Sequence, residues 1–206
     1  MLTEFRIHEI LQPFGVKLNT KQTAQLQTYL DLLLRWNRKI NLTAIRDPEQ
    51  IVSRHFGETL FIQAREVLSG SLLDIGSGAG FPGLALKIVL PGIPTTLLEP
   101  VAKKRAFLKE VIRRCGMDTV NVRQDRLEQV IQQVAKFTVA TARAVGPVDR
   151  VARQCSKILT EQGRLYLWTT RGQSQALGAT SGGITWLQHL AIPLSREREI
   201  AVGLRQ

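Results

Sequence analysis

The fold is decided by the stretch LLDIGSGAGFPG at residues 72–83. Its first four residues form a mostly apolar run typical of a buried strand, and the three glycines that follow predict a tight turn. Pro82 then opens a helix, because its fixed φ suits the first helical turn. A turn whose residues carry no Cβ lets the backbone approach a nucleotide-like ligand closely, so the stretch predicts a strand–turn–helix unit that binds one.

The spacing of the glycines excludes two common phosphate-binding motifs. The pattern is G-x-G-x-G. The dinucleotide fingerprint G-x-G-x-x-G requires a glycine at position 81, where this chain has Phe81, and no Gly-Lys-Ser/Thr follows as in a P-loop. Asp74, just before the glycines, suits the cationic end of a ligand better than a pyrophosphate. These features favour S-adenosylmethionine, which carries a sulfonium and an amino group but no phosphate.

An acidic residue at the end of the next strand supports a nucleoside site. Glu99 lies about 20 residues further on, where a carboxylate accepts hydrogen bonds from ribose hydroxyls. The alternative is that the glycines form an ordinary turn and Glu99 faces solvent.

Working outward, short apolar runs alternate with helical stretches, which predicts an α/β fold with a mainly parallel, doubly wound, Rossmann-like sheet. Residues 170–184 are rich in Gly, Ser and Thr and predict a mobile loop, and 184–192 with 199–204 predict an antiparallel hairpin at the sheet edge. The predicted strands are 72–75, 95–98, 120–122, 137–141 and 164–168, and the helices lie at about 82–90, 101–115, 126–135 and 147–159.

The residues before the sheet predict helices only. Apolar residues at helical spacing end at Gly15, a second helix runs from a cap at Thr20 to about Lys39, and Asp47 caps a third. A last helix is expected at roughly 58–68. We therefore predict an N-terminal helical extension (1–68) and a ligand-binding domain (69–206).

Charge and cysteine usage narrow the function classes. The 206 residues include 28 Lys and Arg against 17 Asp and Glu, a net charge of +11, which favours a polyanionic partner: nucleic acid first, an acidic membrane surface second. A basic surface without a partner is the alternative. Two cysteines exclude a disulfide framework, and no signal peptide or membrane-spanning run is evident, so we expect a cytoplasmic protein.

Several segments together resemble a known family, the bacterial small-subunit (16S) ribosomal RNA guanine-N7 methyltransferases, also called the glucose-inhibited division protein B family. The resemblance implies a class I S-adenosylmethionine-dependent methyltransferase fold and methyl transfer to N7 of one guanine in 16S rRNA. Its partner is then 16S rRNA or the small ribosomal subunit, with no membrane and a monomeric enzyme. The matching segments are LLLRWNRKINLTAIRD (32–47), RHFGETL (54–60), LLDIGSGAGFPGLALKIVLP (72–91), LLEPVAKKRAFLKEV (97–111), RLE (126–128) and TARAVGP (141–147).

The resemblance also implies roles for individual residues. Arg143 lies over the methyl-transfer site, as both a catalytic and a cofactor-binding residue, and Glu99 binds the ribose. The sequence departs from the family at Glu58, where Asp is usual, and at Arg171, where Lys is usual. The cofactor-binding set, including residues taken from the glycine turn itself, is Asp74, Gly76, Gly78, Phe81, Glu99, Leu127, Glu128 and Arg143, with Leu127 and Glu128 at the adenine.

The chemistry of guanine N7 fits the residues after the fourth strand. N7 carries a lone pair and no proton, so methylation needs alignment rather than a general base, and an Arg can donate to guanine O6. Arg143 is the candidate, the alternative being a surface Arg paired to Asp149. Cys115 and Cys155 fall in helical stretches and are expected to be buried thiols rather than nucleophiles.

Basic residues at the start of the helix after Glu99 are candidates for RNA contacts. Lys103, Lys104 and Arg105 lie where the helix dipole disfavours them, which suggests phosphate contacts, and Arg126 joins them. His8, His55 and His189 are too dispersed to predict a metal site. We expect His55 to pack locally, and Asn37 and Asn41 to have a structural role. The alternatives to a methyltransferase are a nucleotide-dependent oxidoreductase and a non-catalytic RNA-binding ribosome assembly factor.

Overall fold

The computed structural model describes residues 2–132 and 136–206. In this part of the chain the strands form one sheet in the order β3-β2-β1-β4-β5-β8-β7-β6. The first five are mutually parallel, while β8 pairs antiparallel with β5 and β7. The strands are β1 (Leu72–Ile75), β2 (Thr95–Leu98), β3 (Val120–Arg123), β4 (Phe137–Arg143), β5 (Leu159–Thr170), β6 (Thr180–Ser181), β7 (Ile184–Ala191) and β8 (Arg198–Arg205).

The helices of the sheet domain follow the predicted alternation. After β3 the chain crosses back over the sheet to β4, which pairs with β1, so the strand order reverses between β1 and β4. The end of the predicted helix 126–135 lies partly outside the described residues. The helices are α1 (Glu4–Leu11), α2 (Thr20–Asn37), α3 (Pro48–Ile51), α4 (Glu58–Leu60), α5 (Gly83–Val89), α6 (Ala102–Arg114), α7 (Leu127–Val130), α8 (Val148–Ile158) and α9 (Arg171–Gln175).

The N-terminal helices begin and end at residues that satisfy their backbone. Gly15, at φ +69°, ends the first helical segment. The cap of α2 is Asn19, whose side chain accepts from Gln22 N while the Gln22 amide oxygen accepts from Asn19 N, so the prediction of Thr20 was wrong by one residue. Asp47 caps α3 as predicted.

The segment after α3 differs from the predicted helix at 58–68. A π-helical turn (Val52–Gly57) leads into α4, and a 3₁₀ turn (Phe61–Ala64) ends the segment. Val67, counted as an apolar helix residue in the sequence, lies beyond this end and is 90% exposed. Burial, rather than apolar spacing alone, sets the boundary.

The sheet separates two apolar clusters because alternate strand residues face opposite sides. Leu72 faces the cluster that includes the N-terminal helices, α5 and α6, whereas Leu73 faces the cluster that includes α8. Tyr29 and Phe107 are fully buried in the first cluster. The helical extension therefore shares a core with the sheet, and the boundary between 68 and 69 stays a prediction.

Residues 170–184 do not form the featureless loop that their composition predicts. They contain α9, whose cap Thr170 accepts from Gln173 N, and β6, which pairs with β7. The hairpin at the sheet edge is confirmed, with β7 and β8 close to the predicted ranges. Among the described residues, no helix has the length and apolarity needed to cross a membrane.

Candidate functional site

The glycine turn between β1 and α5 adopts the left-handed backbone that its glycines predict. Gly76, Gly78 and Gly80 have φ values of +66°, +54° and +90°. A Cβ added at Gly76 would lie 3.0 Å from Val145 Cγ2 in the loop after β4, whereas one at Gly80 would overlap the Tyr29 hydroxyl of α2. The turn therefore approaches helix α2 closely at Gly80 and the loop after β4 closely at Gly76.

A cavity of about 280 Å³ opens where strand order reverses between β1 and β4. Ligands of doubly wound sheets bind at this point, outside the carboxyl ends of the strands. Gly76, Leu127 and Glu128 line the cavity, and their contact with the cofactor stays a prediction. Leu98, Val145 and Val151 complete an apolar wall, and these three were not singled out from the sequence.

Glu99 lies under the glycine turn and is 3% exposed. Its Oε2 accepts from Gly78 N at 2.8 Å, and its Oε1 accepts from Val101 N at 2.9 Å. The carboxylate thus joins the turn after β1 to the start of α6. Glu99 does not face solvent, which removes that alternative.

Asp74 belongs to the support of the turn rather than to the cavity wall. It is fully buried, its Oδ1 accepts from Thr141 Oγ1 at 2.8 Å, and a Cβ at Gly83 would lie 2.7 Å from Oδ2. Burial raises the pKa of Asp74 to about 6. The carboxylate of Asp74 thus contacts β4 and the start of α5, and its contact with a cationic ligand stays a prediction.

Phe81 packs its ring against other rings. The ring stacks on Tyr29 with centroids 5.4 Å apart and on His55 at 4.9 Å, and Phe56 meets it edge-on. Only 7% of Phe81 is exposed. The side chain therefore connects the glycine turn to the helical extension, a role that the sequence pattern does not reveal.

Arg143, at the end of β4, pairs with a buried acid on α4. Its Nη2 donates to Glu58 Oε2 at 3.2 Å and to the Arg54 carbonyl at 3.0 Å. Glu58 is 2% exposed and also accepts from Arg198 Nε at 2.9 Å. The expected alternative, a pair with Asp149, is wrong, since Asp149 pairs with Arg153 on the same helix.

Three arginines therefore surround one carboxylate at the end of β4. Arg54 Nε lies 3.4 Å from Glu58 Oε1, and the buried Arg143 Nη1 has no hydrogen-bond partner among the described residues. Burial lowers the pKa of Arg143, and the nearby arginines add to that effect, while Glu58 opposes it. The sequence signal that could have found Arg54 is its i,i+4 spacing to Glu58; nothing local points to Arg198.

His55 lies in the π-helical turn, and its ring makes a local hydrogen bond. Its Nε2 hydrogen bonds with Thr43 Oγ1 at 2.8 Å, and burial lowers its pKa to about 3. Asn37 accepts from Leu42 N and Thr43 N and donates to the Thr43 carbonyl. His55 and Asn37 thus have the local structural contacts that the sequence favoured.

The predicted RNA-contacting residues separate into three groups. Lys103 is exposed and Lys104 half-buried on the first turn of α6, whereas Arg105 donates to the carbonyls of Glu99 and Pro100. Arg126 is exposed and lines the cavity. Arg105 therefore stabilises the β2–α6 connection, and its contact with RNA stays a prediction.

Both thiols are unsuited to nucleophilic attack. Cys115 and Cys155 are buried, and burial raises the pKa of Cys115 to about 11 and that of Cys155 further. The expectation of inert thiols is confirmed.

Comparison with known proteins agrees with this geometry. Residues 22–193 match the model of the family rRNA small subunit methyltransferase G. The ribosomal RNA small subunit methyltransferase G of Chloroflexus aggregans is 35% identical over 212 residues, covering 97% of this chain and 89% of that protein. The protein of the same name from Xylella fastidiosa is 40% identical over 150 residues, covering 73% and 70%.

A solved structure supports the fold. The ribosomal protein L11 methylase of Lactobacillus delbrueckii subsp. bulgaricus superposes with a TM-score of 0.60 at 15% identity, over 75% of this chain and 80% of that one. The parallel sheet with its antiparallel edge is the class I methyltransferase fold predicted from the sequence. The resemblance found in the sequence is thereby confirmed, and the chain is a methyltransferase that belongs to the rRNA small subunit methyltransferase G family.

Proposed function

We propose that this chain transfers a methyl group from S-adenosylmethionine to N7 of one guanine in 16S ribosomal RNA. The observation that carries the proposal is the position of Arg143 at the end of β4, next in sequence to the loop whose Val145 lines the cavity. A ligand in the cavity and a base beside Arg143 would meet at the carboxyl ends of β1 and β4.

The residues around the cavity fit S-adenosylmethionine. The apolar wall of Leu98, Leu127 and Val151 suits an adenine ring, and the absent Cβ at Gly76 leaves space beside Val145. Each carboxylate oxygen of Glu99 has a lone pair beyond its backbone bond, which suits ribose hydroxyls. Once bound, the cofactor would supply an electrophilic methyl group.

Glu128 has a defined side-chain environment at the cavity mouth. Its Oε1 accepts from Gln154 Nε2 and from Arg150 Nη2, each at 2.9 Å, and these bonds, led by that of Gln154, lower its pKa. We assign its backbone and that of Leu127 to the adenine edge, because the side-chain oxygen is already bonded to α8.

The protein's part in the reaction is to orient the base. The Arg143 guanidinium is held by Glu58, and it would donate to guanine O6 while leaving N7 free. His55 is held neutral near neutral pH by its lowered pKa and bonds Thr43, so it is placed to pack rather than to transfer a proton. No general base is required, since N7 carries no proton to remove.

The positive charge of the chain favours an RNA partner. A net charge of +11 and the exposed Lys103 and half-buried Lys104 on the first turn of α6 favour the phosphates of a folded RNA. We propose 16S rRNA or the small subunit as the substrate of a monomeric enzyme that acts in the cytoplasm.

The test is methyl transfer from labelled S-adenosylmethionine to undermethylated small subunits and to protein-free 16S rRNA, with the modified base mapped. Label at N7 of one guanine is the expected result, and the Arg143→Met variant should transfer slowly even at saturating cofactor. Label on another atom or another RNA would contradict the proposal. Saturable binding of NADH in place of the cofactor would instead support an oxidoreductase.

A further inference from the structure

A group of basic side chains lies at the end of α2, away from the residues assigned above. Arg35 lies in the last turn of α2, Arg38 is the residue that caps its end, and Lys39 follows directly; all three are exposed. Arg46, also exposed, lines one groove with Arg38 and Pro48. We call Arg35, Arg38, Lys39 and Arg46 the α2 basic surface.

The charges of this surface are largely uncompensated. Arg38, Lys39 and Arg46 have no ion pair among the residues that the structure describes. Glu110 on α6 lies beside the surface, but its carboxylate binds Arg113 at 2.8 and 3.0 Å. A groove between α2 and α6, lined by Arg35, Lys39 and the exposed Arg114, continues the positive charge.

The helix dipole explains part of this arrangement and leaves part unexplained. Cations near a helix C-terminus interact favourably with the helix dipole, which accounts for Arg35 and Lys39. Arg46 belongs to no helix, so the dipole gives it no such benefit. Like charges three and four residues apart also repel one another, so the repulsion among Arg35, Arg38 and Lys39 destabilises this end of α2.

Hydrogen bonds fix this surface beside the candidate active site. Asn37 makes three bonds to Leu42 and Thr43, which shape the chain between Lys39 and Arg46. Thr43 in turn hydrogen bonds with His55, whose ring stacks on Phe81 of the glycine turn at 4.9 Å. The loop that carries Arg46 is therefore held close to the glycine turn, in a fixed relation to the cavity.

We propose that the α2 basic surface binds the phosphate backbone of the folded RNA that flanks the target guanine. The inference rests on the proposed function and adds a contact region on the helical extension to the one on α6. Charge complementarity selects the ligand: spaced, unpaired Arg and Lys side chains match successive phosphates and carry no base readout.

The test compares two full-length variants that each lose three positive charges. One is Arg38→Gln/Lys39→Gln/Arg46→Gln; the matched control is Lys17→Gln/Lys21→Gln/Lys157→Gln, whose three lysines are exposed at other places. Binding to protein-free 16S rRNA is measured over a range of salt concentrations, alongside cofactor affinity and methyl transfer. We expect the first variant to bind RNA at least tenfold more weakly, with a salt slope smaller by about 3, while cofactor affinity is unchanged.

Each outcome decides the proposal. Equal weakening in both variants, or no change in the first, would overturn it, because net charge alone would then explain RNA binding. If the wild type methylates no RNA, the proposed function fails, yet the binding comparison still reports on the surface. Loss of binding to vesicles containing phosphatidylserine, with RNA binding retained, would assign the surface to a membrane and overturn the proposal.

Discussion

The Tyr29 hydroxyl of α2 donates a 2.5 Å hydrogen bond to the carbonyl of Ala79 in the glycine turn. Tyr29 is fully buried, and burial raises the pKa of its hydroxyl well above the ordinary value, which keeps it a donor. The helical extension therefore fixes the backbone of the ligand-binding turn directly. The turn depends on a residue 50 positions earlier in the chain.

Removing this hydroxyl should loosen the turn. In Tyr29→Phe the Ala79 carbonyl loses its donor in a buried place, so we expect the free energy of unfolding to fall by about 1–3 kcal/mol. Cofactor affinity should fall as well, because Gly78 and Gly80 flank the released carbonyl. Urea unfolding and calorimetric titration with S-adenosylmethionine measure the two effects.

Tyr166→Phe is the matched control for that prediction. Tyr166 is also buried, and its hydroxyl donates to Glu66 Oε2 at 3.3 Å, away from the glycine turn. It should lose some stability and keep its cofactor affinity. Equal affinity losses in both variants would show that the Tyr29 bond has no special relation to the site.

A methyl group at Gly76 should weaken both the fold and cofactor binding, as urea unfolding and calorimetric titration with S-adenosylmethionine would measure. Gly76→Ala forces a side chain to φ +66°, which costs on the order of 1–2 kcal/mol, and brings Cβ to 3.0 Å from Val145 at the cavity wall. We expect at least a tenfold loss of cofactor affinity. Gly92→Ala, whose Cβ meets no atom within 4 Å, is the control and should bind normally.

The sequence predicted the elements that depend on local pattern. Strands β1 and β2 match their predicted ranges because they are short apolar runs between turn residues, and Gly76 is left-handed because the turn demands it. Leu127 and Glu128, which line the cavity, were singled out by the family resemblance and not by a local sequence pattern.

What the sequence missed depends on contacts between distant segments. Glu58 looks like one more charged helix residue, yet it is buried because Arg143 and Arg198 approach from β4 and β8. Asp74 precedes the glycines and looks exposed to a ligand, yet the register of β1 against β4 places it opposite Thr141. Neither arrangement has a local signal.

The arginine cluster makes Glu58 the most sensitive charge in the site. In Glu58→Gln, three guanidinium groups lose their shared anion in a buried place, and we expect the unfolding free energy to fall by about 3–5 kcal/mol. Glu58→Asp keeps the charge and should recover most of this loss. Thermal unfolding measures the stability change. The KM and kcat of methyl transfer show the effect of a displaced Arg143: kcat should fall in Glu58→Gln and recover in Glu58→Asp.

An exposed ion pair supplies the control for Glu58. Glu49 binds Arg6 at 2.7 Å with both side chains nearly half exposed, so Glu49→Gln should lower the unfolding free energy far less than Glu58→Gln does. If Glu49→Gln and Glu58→Gln prove equally mild, the buried cluster has no special weight in stability or catalysis.

His55 should make the protein sensitive to acid. Its pKa is about 3 when folded and close to 6.5 when unfolded, so the unfolded state binds the proton more readily between these values. The contribution of neutral His55 to the unfolding free energy is fully present above pH 6.5. It is lost as the pH falls toward 3, by up to about 1.4 kcal/mol per pH unit. Asp74, with its raised pKa of about 6, acts in the opposite direction between pH 6 and 3.8.

The variant His55→Gln separates the two groups, because Asp74 titrates in both proteins and cancels in the difference. The difference in unfolding free energy between wild type and variant should shrink by about 2 kcal/mol from pH 6.5 to pH 5, in urea titrations at each pH. His8→Gln, on the partly exposed His8 of α1, controls for loss of any histidine. A difference that stays constant with pH would mean that His55 is protonated equally in both states, and its stacking on Phe81 would then have to hold an imidazolium.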